Sequence, residues 1–351
     1  MFYSLLQGNE PSRILGWIIG IVGLLANSSL LLYHFKRKLF KSSKTNHHKI
    51  ITSKSRSITK FLIRQLALAD LLGSLYVIII SSADSYYGYR YPEIYQIPNP
   101  SNQTNIWTLN PLCHIARFCF STSSVLSIAI TLVIAYDRLV AVIFPHSKAR
   151  LNLFKSRIVI SVCWLICCAF GLIPTIRGII SAPYFAQSFN WRLNICMYTD
   201  IVKIILTIFF RTRAAIYFGC CSSIALIYVV IIVYVRNKRR RIASGMNQIE
   251  RRIFIVMMII TAVNVCSLLP STIIYGMPYN IRQLPHVVYA TSITIMFTFS
   301  NAAINPFIYI FLSSSRKRYI VCCGNSSKVA VKNIAVSENK PKSTEVAVFS
   351  K

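Results

Sequence analysis

Several ionisable side chains lie inside long apolar stretches of the sequence, where a charge is costly unless a partner or a function holds it. Asp70 ends the run LALAD, and the neighbours Asp137 and Arg138 lie in the run IAYDRLVAVIFP. A carboxylate at Asp70 needs a cation, a proton or several hydroxyl and amide partners. A protonated carboxyl that is hydrogen-bonded between helices stays open as the alternative. Asp137 and Arg138 can form an ion pair, and Glu250 is placed to hold the same arginine from the other side.

Two prolines in apolar stretches predict hinges. Pro306 follows Asn305 in the run NPFIY, and Pro270 lies in the preceding apolar stretch. Because proline has no backbone N–H, it removes a helical hydrogen bond and kinks the helix. Both positions are therefore candidates for conformational change.

Membrane-spanning helices have to position these side chains. The chain has 351 residues, of which 54% are hydrophobic and 14% charged, too apolar a composition for an ordinary soluble domain. A bilayer core requires about 20 apolar residues per helix, and each segment must satisfy its own backbone. We therefore predict an all-α membrane protein, a seven-transmembrane helix bundle over residues 14–312. Its helices are expected at residues 14–35, 61–83, 115–144, 158–176, 204–235, 253–275 and 287–312.

The distribution of Lys and Arg predicts the orientation. A net charge of +30 would indicate nucleic-acid binding in a soluble protein. Here the charges concentrate in alternate connections, nine of them in residues 36–60, so no nucleic-acid partner is expected. Positive residues near helix ends stay in the cytoplasm. We expect an extracellular N-terminus (1–13), a disordered cytoplasmic tail (324–351) and a plasma-membrane location, with the basic first connection against anionic membrane lipids.

The first apolar segment is interpreted as a helix rather than a cleaved signal peptide, because the basic cluster follows it. Of the cysteines, only Cys113 and Cys196 fall on the predicted outer side, which makes them the expected disulfide. Asn102 begins a glycosylation sequon on the same side.

The polar motifs occur in a fixed order along the seven segments: GLLANSSLL, LALAD, Cys113, DRL followed by Pro145, Trp164, Cys196, Tyr228, Pro270 and NPFIY. This ordered set resembles the rhodopsin-like (class A) G-protein-coupled receptors, over residues 23–323. The resemblance implies a receptor, not an enzyme, that binds an extracellular ligand and activates heterotrimeric G proteins.

The resemblance also implies roles for individual residues. Arg138 is similar to the arginine that is released on activation to contact the G protein, and Tyr228 and Tyr309 to the tyrosines that join it. Cys113 and Cys196 match the disulfide that pins the second outer loop. A buried sodium pocket, the one cofactor-like ion expected, matches Asp70, Ser127, Asn301 and Asn305.

Beyond the seventh span, the resemblance implies a short amphipathic eighth helix at residues 313–323. Cys322 and Cys323 at its end look like palmitoylated cysteines, with unmodified thiols as the alternative.

The departures from the family pattern concern the connection between pocket and hinge. Leu268 stands where a tryptophan is usual, Cys220 where a proline is usual and Asn264 where a phenylalanine is usual. Leu139 replaces the tyrosine after Asp-Arg, and His146 a bulky apolar residue. The changes at Leu268, Cys220 and Asn264 favour, as an alternative, a constitutively active or ligandless receptor.

The ligand class is constrained by two exclusions. The stretch 286–312 has no lysine for a retinal Schiff base, and Phe120 stands where amine receptors carry an aspartate. The outer half instead offers positive charge, at Arg117, Arg177, Arg211 and Arg213.

Guanidinium groups in a low-dielectric cavity bind carboxylate or phosphate by paired hydrogen bonds. We therefore expect an anionic small molecule, lipid acid or peptide, bound by Arg117, Phe120, Arg213 and Leu268. The alternative is that these arginines reach lipid headgroups or pair with Asp84 and Asp200. A membrane transporter is the alternative of another class, disfavoured because no pair of interrupted helices repeats in the two halves.

Overall fold

The computed structural model describes residues 6, 9–39, 50–87, 107, 110–144, 147, 150–185, 195–196, 204–237, 248–277, 281 and 284–314. At residues 37–39, 50–56, 181–185, 204–210, 248–253, 275 and 311–314 it describes the backbone alone. Within these residues the chain forms eight helices: α1 Glu10–Leu39, α2 Ile50–Tyr87, α3 Pro111–Ile143, α4 Leu153–Phe185, α5 Ile204–Asn237, α6 Gln248–Gly276, α7 Pro285–Thr298 and α8 Ser300–Ser314.

These helices contain seven segments long and apolar enough to cross a membrane, each of 21 to 33 residues. The first six spans lie in α1 to α6, and α7 and α8 together form the seventh, Pro285–Ile310. The two halves of the seventh span are separated at Phe299, whose N–H donates to the Met296 carbonyl at 3.2 Å in a tightened turn. The predicted all-α, seven-helix bundle is confirmed.

The helices extend beyond the apolar segments on which they were predicted. α1 continues to Leu39 and α2 begins at Ile50, so part of the basic first connection is helical. The sequence IITSKSRSITK at the start of α2 contains neither Gly nor Pro, and a helix that has nucleated extends through such residues at little cost.

α3 lies in the middle of the bundle, where it packs against α2, α4, α5 and α6. Its start is encoded locally: Asn110 Oδ1 accepts a hydrogen bond from the Leu112 N–H at 2.9 Å, and Pro111 takes the first helical position. Because α3 is also the most buried of the seven spans, its polar side chains must find partners on neighbouring helices.

Glycines let α1 approach α2 closely. A Cβ atom added to Gly23 would lie 2.3 Å from Ser74 Oγ, and one added to Gly16 would lie 2.3 Å from Ser81 Oγ. Small residues at such positions bring helix backbones together in a membrane.

The predicted disulfide is confirmed. Cys113, at the start of α3, is bonded to Cys196, with their Cα atoms 5.4 Å apart. The Tyr76 hydroxyl donates to the Ile195 carbonyl at 3.2 Å, so Ile195, the residue before Cys196, is also held to α2. We call the end of the bundle that carries this disulfide the disulfide end.

The chain divides into two units, residues 1–308 and 309–351. Of the second unit, the structure describes only the helical residues 309–314. The rest of the predicted amphipathic helix at 313–323 and the predicted tail at 324–351 lie outside the described residues, with Cys322 and Cys323. Asn102 lies outside them too, and so does the side chain of Glu250.

Candidate functional site

A cluster of buried polar side chains surrounds Asp70 in the middle of the bundle. Asp70 Oδ2 accepts a hydrogen bond from Asn305 Nδ2 at 2.9 Å, and Asn301 Nδ2 lies 3.5 Å from Asp70 Oδ1. Asn301 Nδ2 also donates to Ser127 Oγ at 3.2 Å. The structure thus brings together the four residues of the predicted sodium pocket, from α2, α3 and α8.

Asn264 adds α6 to this group. Its Oδ1 accepts hydrogen bonds from Asn301 Nδ2 at 2.8 Å and from Asn305 Nδ2 at 3.1 Å. Its Nδ2 donates to Thr131 Oγ1 at 2.7 Å. We call these six residues the Asp70 cluster: Asp70, Ser127, Thr131, Asn264, Asn301 and Asn305. Asn264 is fully buried, and its amide connects α6 to α3 and α8.

The oxygen atoms of the Asp70 cluster suit a hard cation. They include the Asp70 carboxylate, the Ser127 hydroxyl and Asn305 Oδ1, a buried atom with no hydrogen-bond partner among the described residues. An unpartnered buried oxygen beside a carboxylate is the arrangement that a sodium ion would complete.

The predicted ion pair between Asp137 and Arg138 is formed, at the end of the bundle opposite the disulfide end. The Arg138 guanidinium donates to the Asp137 carboxylate and, at 3.0 Å, to Thr59 Oγ1 on α2. Asp137 and Arg138 are both buried. Because burial raises the strength of an ion pair and the cost of separating it, this contact holds Arg138 inside the bundle.

The other predicted switch residues are placed on separate elements. Pro270 lies inside α6 and Pro306 inside α8. The Tyr228 hydroxyl, on α5, lies 3.1 Å from Thr261 Oγ1 on α6. Tyr309 belongs to the second unit and is half-buried.

Arg213 on α5 places a guanidinium inside the bundle. It is 8% exposed, and its Nη2 donates to Ser124 Oγ at 2.9 Å and to the Tyr217 hydroxyl at 3.4 Å. The guanidinium carbon lies 4.5 Å from the centre of the Phe120 ring, within cation–π distance. Among the described residues, the ion pairs are Arg13–Asp84 and Arg138–Asp137, so no described carboxylate neutralises Arg213.

A cavity of about 20 Å³ lies beside Arg213. This volume is far below the roughly 300–1,000 Å³ of typical small-molecule pockets, so in this conformation the cavity is too small for an ordinary ligand. Hydroxyl groups of α5, α6 and α7 surround it together with three of the four predicted binding residues. The lining consists of Phe120, Arg213, Ala214, Tyr217, Leu268, Ser271, Thr272 and Thr298.

Arg117, the other predicted anion ligand, lies elsewhere. Its Nε donates to the Cys196 carbonyl at 3.3 Å and its Nη1 lies 3.2 Å from His114 Nδ1. Arg117 is therefore hydrogen-bonded beside the disulfide and does not line the Arg213 cavity. Asp84, considered as a partner of the arginines on the later helices, pairs with Arg13 instead.

Sequence reasoning missed four hydroxyl-bearing residues of the cavity. Tyr217 could have been found, because it lies four residues after Arg213 and so on the same face of α5. The hydroxyls on α6 and α7 carry no such signal, since only the packing of three helices brings them together: Ser271, Thr272 and Thr298.

The comparison with known families agrees with this geometry. The family model described as "7 transmembrane receptor (rhodopsin family)" matches residues 49–309. The chain belongs to this family.

Relatives of this rhodopsin-family chain include large receptors. The G-protein coupled receptor GRL101 of Lymnaea stagnalis is 28% identical over 192 residues, which are 55% of this chain and 15% of the relative. The thyrotropin receptor of Ovis aries is 24% identical over 320 residues, 89% of this chain and 36% of the relative. The lutropin-choriogonadotropic hormone receptor of Callithrix jacchus is 22% identical over 323 residues, which are 91% of this chain and 42% of the relative. The chain thus spans well under half the length of these relatives.

Two departures from the rhodopsin-family pattern lie on one face of α6, between the two polar sites. Leu268 lines the Arg213 cavity, and Asn264, four residues earlier, belongs to the Asp70 cluster. Positions four apart share a helix face, so α6 connects the cavity to the cluster by adjacent side chains.

Proposed function

We propose that this rhodopsin-family chain is a G-protein-coupled receptor of the plasma membrane that binds an extracellular anionic ligand at Arg213 and activates heterotrimeric G proteins. Its N-terminus is extracellular and its C-terminus cytoplasmic, in keeping with the concentration of Lys and Arg in residues 36–60. The observation that carries the ligand proposal is the buried Arg213 guanidinium, which no described carboxylate neutralises.

The chemistry of the Arg213 cavity favours an anion. A charge inside the bundle carries a desolvation penalty that neutral hydroxyls offset only in part. Ser124 and Tyr217 supply neutral acceptors, and a carboxylate or phosphate would supply the missing charge through paired hydrogen bonds. The ligand is a small organic acid, a lipid acid or a peptide with a free carboxylate.

The small size of the cavity supports a coupling mechanism. A ligand of ordinary size has to separate the helices that line the cavity, and three of the lining residues are on α6, namely Leu268, Ser271 and Thr272. Binding would therefore favour conformations in which α6 has moved.

In the proposed activation step, α6 swings about Pro270 and its hydrogen bonds to the Asp70 cluster are broken. The bundle then opens at the end that carries Arg138, and the arginine leaves Asp137 and Thr59 to contact the G protein. The energy for this change is the ligand's preference for the open conformation.

The Asp70 cluster is proposed as an allosteric sodium site. Bound sodium would neutralise the Asp70 carboxylate and join oxygen atoms of α2, α3 and α8. In the closed conformation this chain's own groups hold the site together, because the amides of Asn301 and Asn305 donate to Asp70. Sodium would then favour the closed state.

The ligand proposal is tested with a matched pair of arginines on α5. Arg213→Gln removes the buried guanidinium, while Arg211→Gln removes an exposed one two residues away. Small organic acids, fatty acids and carboxylate-terminated peptides are applied to cells that express equal surface amounts of each receptor. We expect an active acid to lose potency on Arg213→Gln and to keep it on Arg211→Gln. Equal potency on both variants would refute a role of Arg213 in binding.

The coupling proposal is tested without a ligand. Basal cAMP, calcium and inositol phosphate are measured for the wild type and Arg138→Ala at matched surface expression. A basal signal that Arg138→Ala abolishes supports G-protein coupling and identifies the pathway. A strong basal signal that no acid changes would favour the ligandless alternative, whereas an acid response that persists in Arg138→Ala would contradict the proposed role of Arg138.

A further inference from the structure

The residues before and at the start of α1 are packed into the disulfide end of the bundle. The Leu6 side chain is fully buried and belongs to an apolar cluster that includes Trp107, Tyr76, Phe120 and the disulfide. A leucine that precedes the first helix would ordinarily lie in solvent or lipid headgroups. Here its side chain fills the interior between α2, α3 and α7, whose Met296 is in the same cluster.

One carboxylate holds both ends of this segment. Asp84, near the end of α2, is fully buried, and its Oδ1 accepts the Leu6 backbone N–H at 2.9 Å. Its Oδ2 accepts Arg13 Nε at 2.7 Å. Because the carboxylate is inaccessible to water, both contacts are charge-assisted hydrogen bonds in a low-dielectric setting and are correspondingly strong.

A second set of contacts fastens the segment to α7. Asn9 Nδ2 donates to Ser292 Oγ at 2.6 Å and to the Tyr289 carbonyl at 3.2 Å. The hydroxyls of Ser12 and Ser292 are 2.9 Å apart. Asn9, Ser12 and Ser292 are all buried, so the segment joins α7 to α2 across this end of the bundle.

We propose that Leu6 and residues 9–13 form a cap that closes the disulfide end of the bundle and controls access of water-borne solutes to its interior, with Asp84 as the latch. The cap regulates the ligand site of the proposed function and rests on that proposal for its role. The cap itself, which is packed into the bundle and can be released from it, requires neither a ligand nor a G protein.

The Phe120 ring separates the cap from the Arg213 cavity. On one side, the Phe120 ring is in the apolar cluster that Leu6 completes. On the other, the Arg213 guanidinium lies 4.5 Å from the centre of the same ring. Among the described residues, the order inward from the disulfide end is therefore the cap, the aromatic layer and then Arg213.

A native thiol reports on the cap. Cys119, next to Phe120, is 2% exposed and belongs to the same cluster. Intact cells that express the full chain are treated with a charged, membrane-impermeant methanethiosulfonate reagent. The rate of Cys119 labelling is then read by peptide mass spectrometry, with Cys119→Ser as the control for assignment.

Two variants release the cap in different ways. Asp84→Asn removes the charge of the latch, and Leu6→Asp places a carboxylate in the apolar cluster. We expect Cys119 to be protected in the wild type and labelled at least about tenfold faster in both variants. The loss of charge-assisted contacts in one variant and the burial of a carboxylate in an apolar cluster in the other each correspond to one or more powers of ten in an equilibrium. A wild-type rate as high as that of the variants, or continued protection in Leu6→Asp at normal surface expression, would overturn the proposal.

A single introduced cysteine separates failure of the cap from failure of the proposed orientation. Glu10 is exposed, so Glu10→Cys should be labelled rapidly on intact cells. If it is labelled only after permeabilisation, the orientation is wrong, and the Cys119 rates are compared in permeabilised cells instead. If neither releasing variant reaches the surface, Leu6→Cys decides: protection relative to Glu10→Cys supports the cap, and equal rates refute it.

Discussion

Replacing Asn264 by leucine should raise the basal activity of this receptor. Leucine has the same number and branching of side-chain heavy atoms as asparagine but forms no hydrogen bond, so Asn264→Leu removes the polar contacts of α6 with the Asp70 cluster while leaving the space filled. We expect α6 to be freer to swing about Pro270 and the open, signalling conformation to be more populated.

The size of the effect follows from the contacts. Asn264 makes three hydrogen bonds to other helices, with Thr131, Asn301 and Asn305, and hydrogen bonds between membrane helices contribute about 0.6 kcal/mol each. Their loss destabilises the closed state by about 2 kcal/mol, or about 20-fold in the closed-to-open ratio. No larger penalty arises, because the two amides on α8 still have Asp70 as acceptor.

The assay is basal second-messenger output at matched surface expression, with Arg138→Ala as the zero level. Ser267→Ala is the matched control: Ser267 is buried one turn along α6, and its hydroxyl donates only to the Asn264 carbonyl of the same helix. Ser267→Ala should leave basal output unchanged. A basal output for Asn264→Leu that equals the wild type, in a receptor that still responds to an agonist, would refute the proposed role of Asn264.

Three further predictions concern the sodium site and the packing of the bundle. Asp70→Asn should abolish any dependence of agonist affinity on sodium concentration, and a sodium effect that survives this variant would exclude Asp70 as the ligand. Gly73→Ala should lower surface expression and thermal stability in detergent. The added Cβ would lie 2.5 Å from a ring carbon of Phe299, and such overpacking costs about 1–3 kcal/mol. Gly219→Ala, with nothing within 4 Å, is its control and should be neutral. Trp164→Phe, which removes the 2.9 Å hydrogen bond to Gln65 Oε1, should destabilise the receptor by about 0.6 kcal/mol in the same melting assay.

The fold could be predicted because each membrane helix is determined locally. About 20 apolar residues in a row have to form a helix that satisfies its own backbone, so the seven spans follow from composition and length. The ends of the helices were less accurate, since α2 begins at Ile50, well before the apolar residues that indicated it. The first residues of α2 carry no apolar signal, and only the absence of Gly and Pro permits the longer helix.

The candidate site could be predicted in part. Asp70, Asn301 and Asn305 stand out because polar side chains in apolar spans are costly, and the structure does bring them together. Asn264 was noticed only as a departure from the family pattern, although the same argument of a costly buried amide predicts that it must have partners. Which partners it finds depends on the rotation of α6 against α3 and α8.

The sequence by itself determined the class of the protein, the number of its spans, its disulfide and the polar residues that need partners. The class, the spans and the costly polar residues depend on local composition. The disulfide follows because only two cysteines fall on the predicted outer side. Tertiary structure decided which arginine lines a cavity inside the bundle. Arg117 and Arg213 are equivalent in the sequence, yet packing gives one of them the Cys196 carbonyl and leaves the other beside a cavity. It also decided that Leu6 lies inside the bundle and that Asp84 holds it. These contacts join residues far apart in the chain, and their geometry is set by the helix packing angles that no single segment encodes.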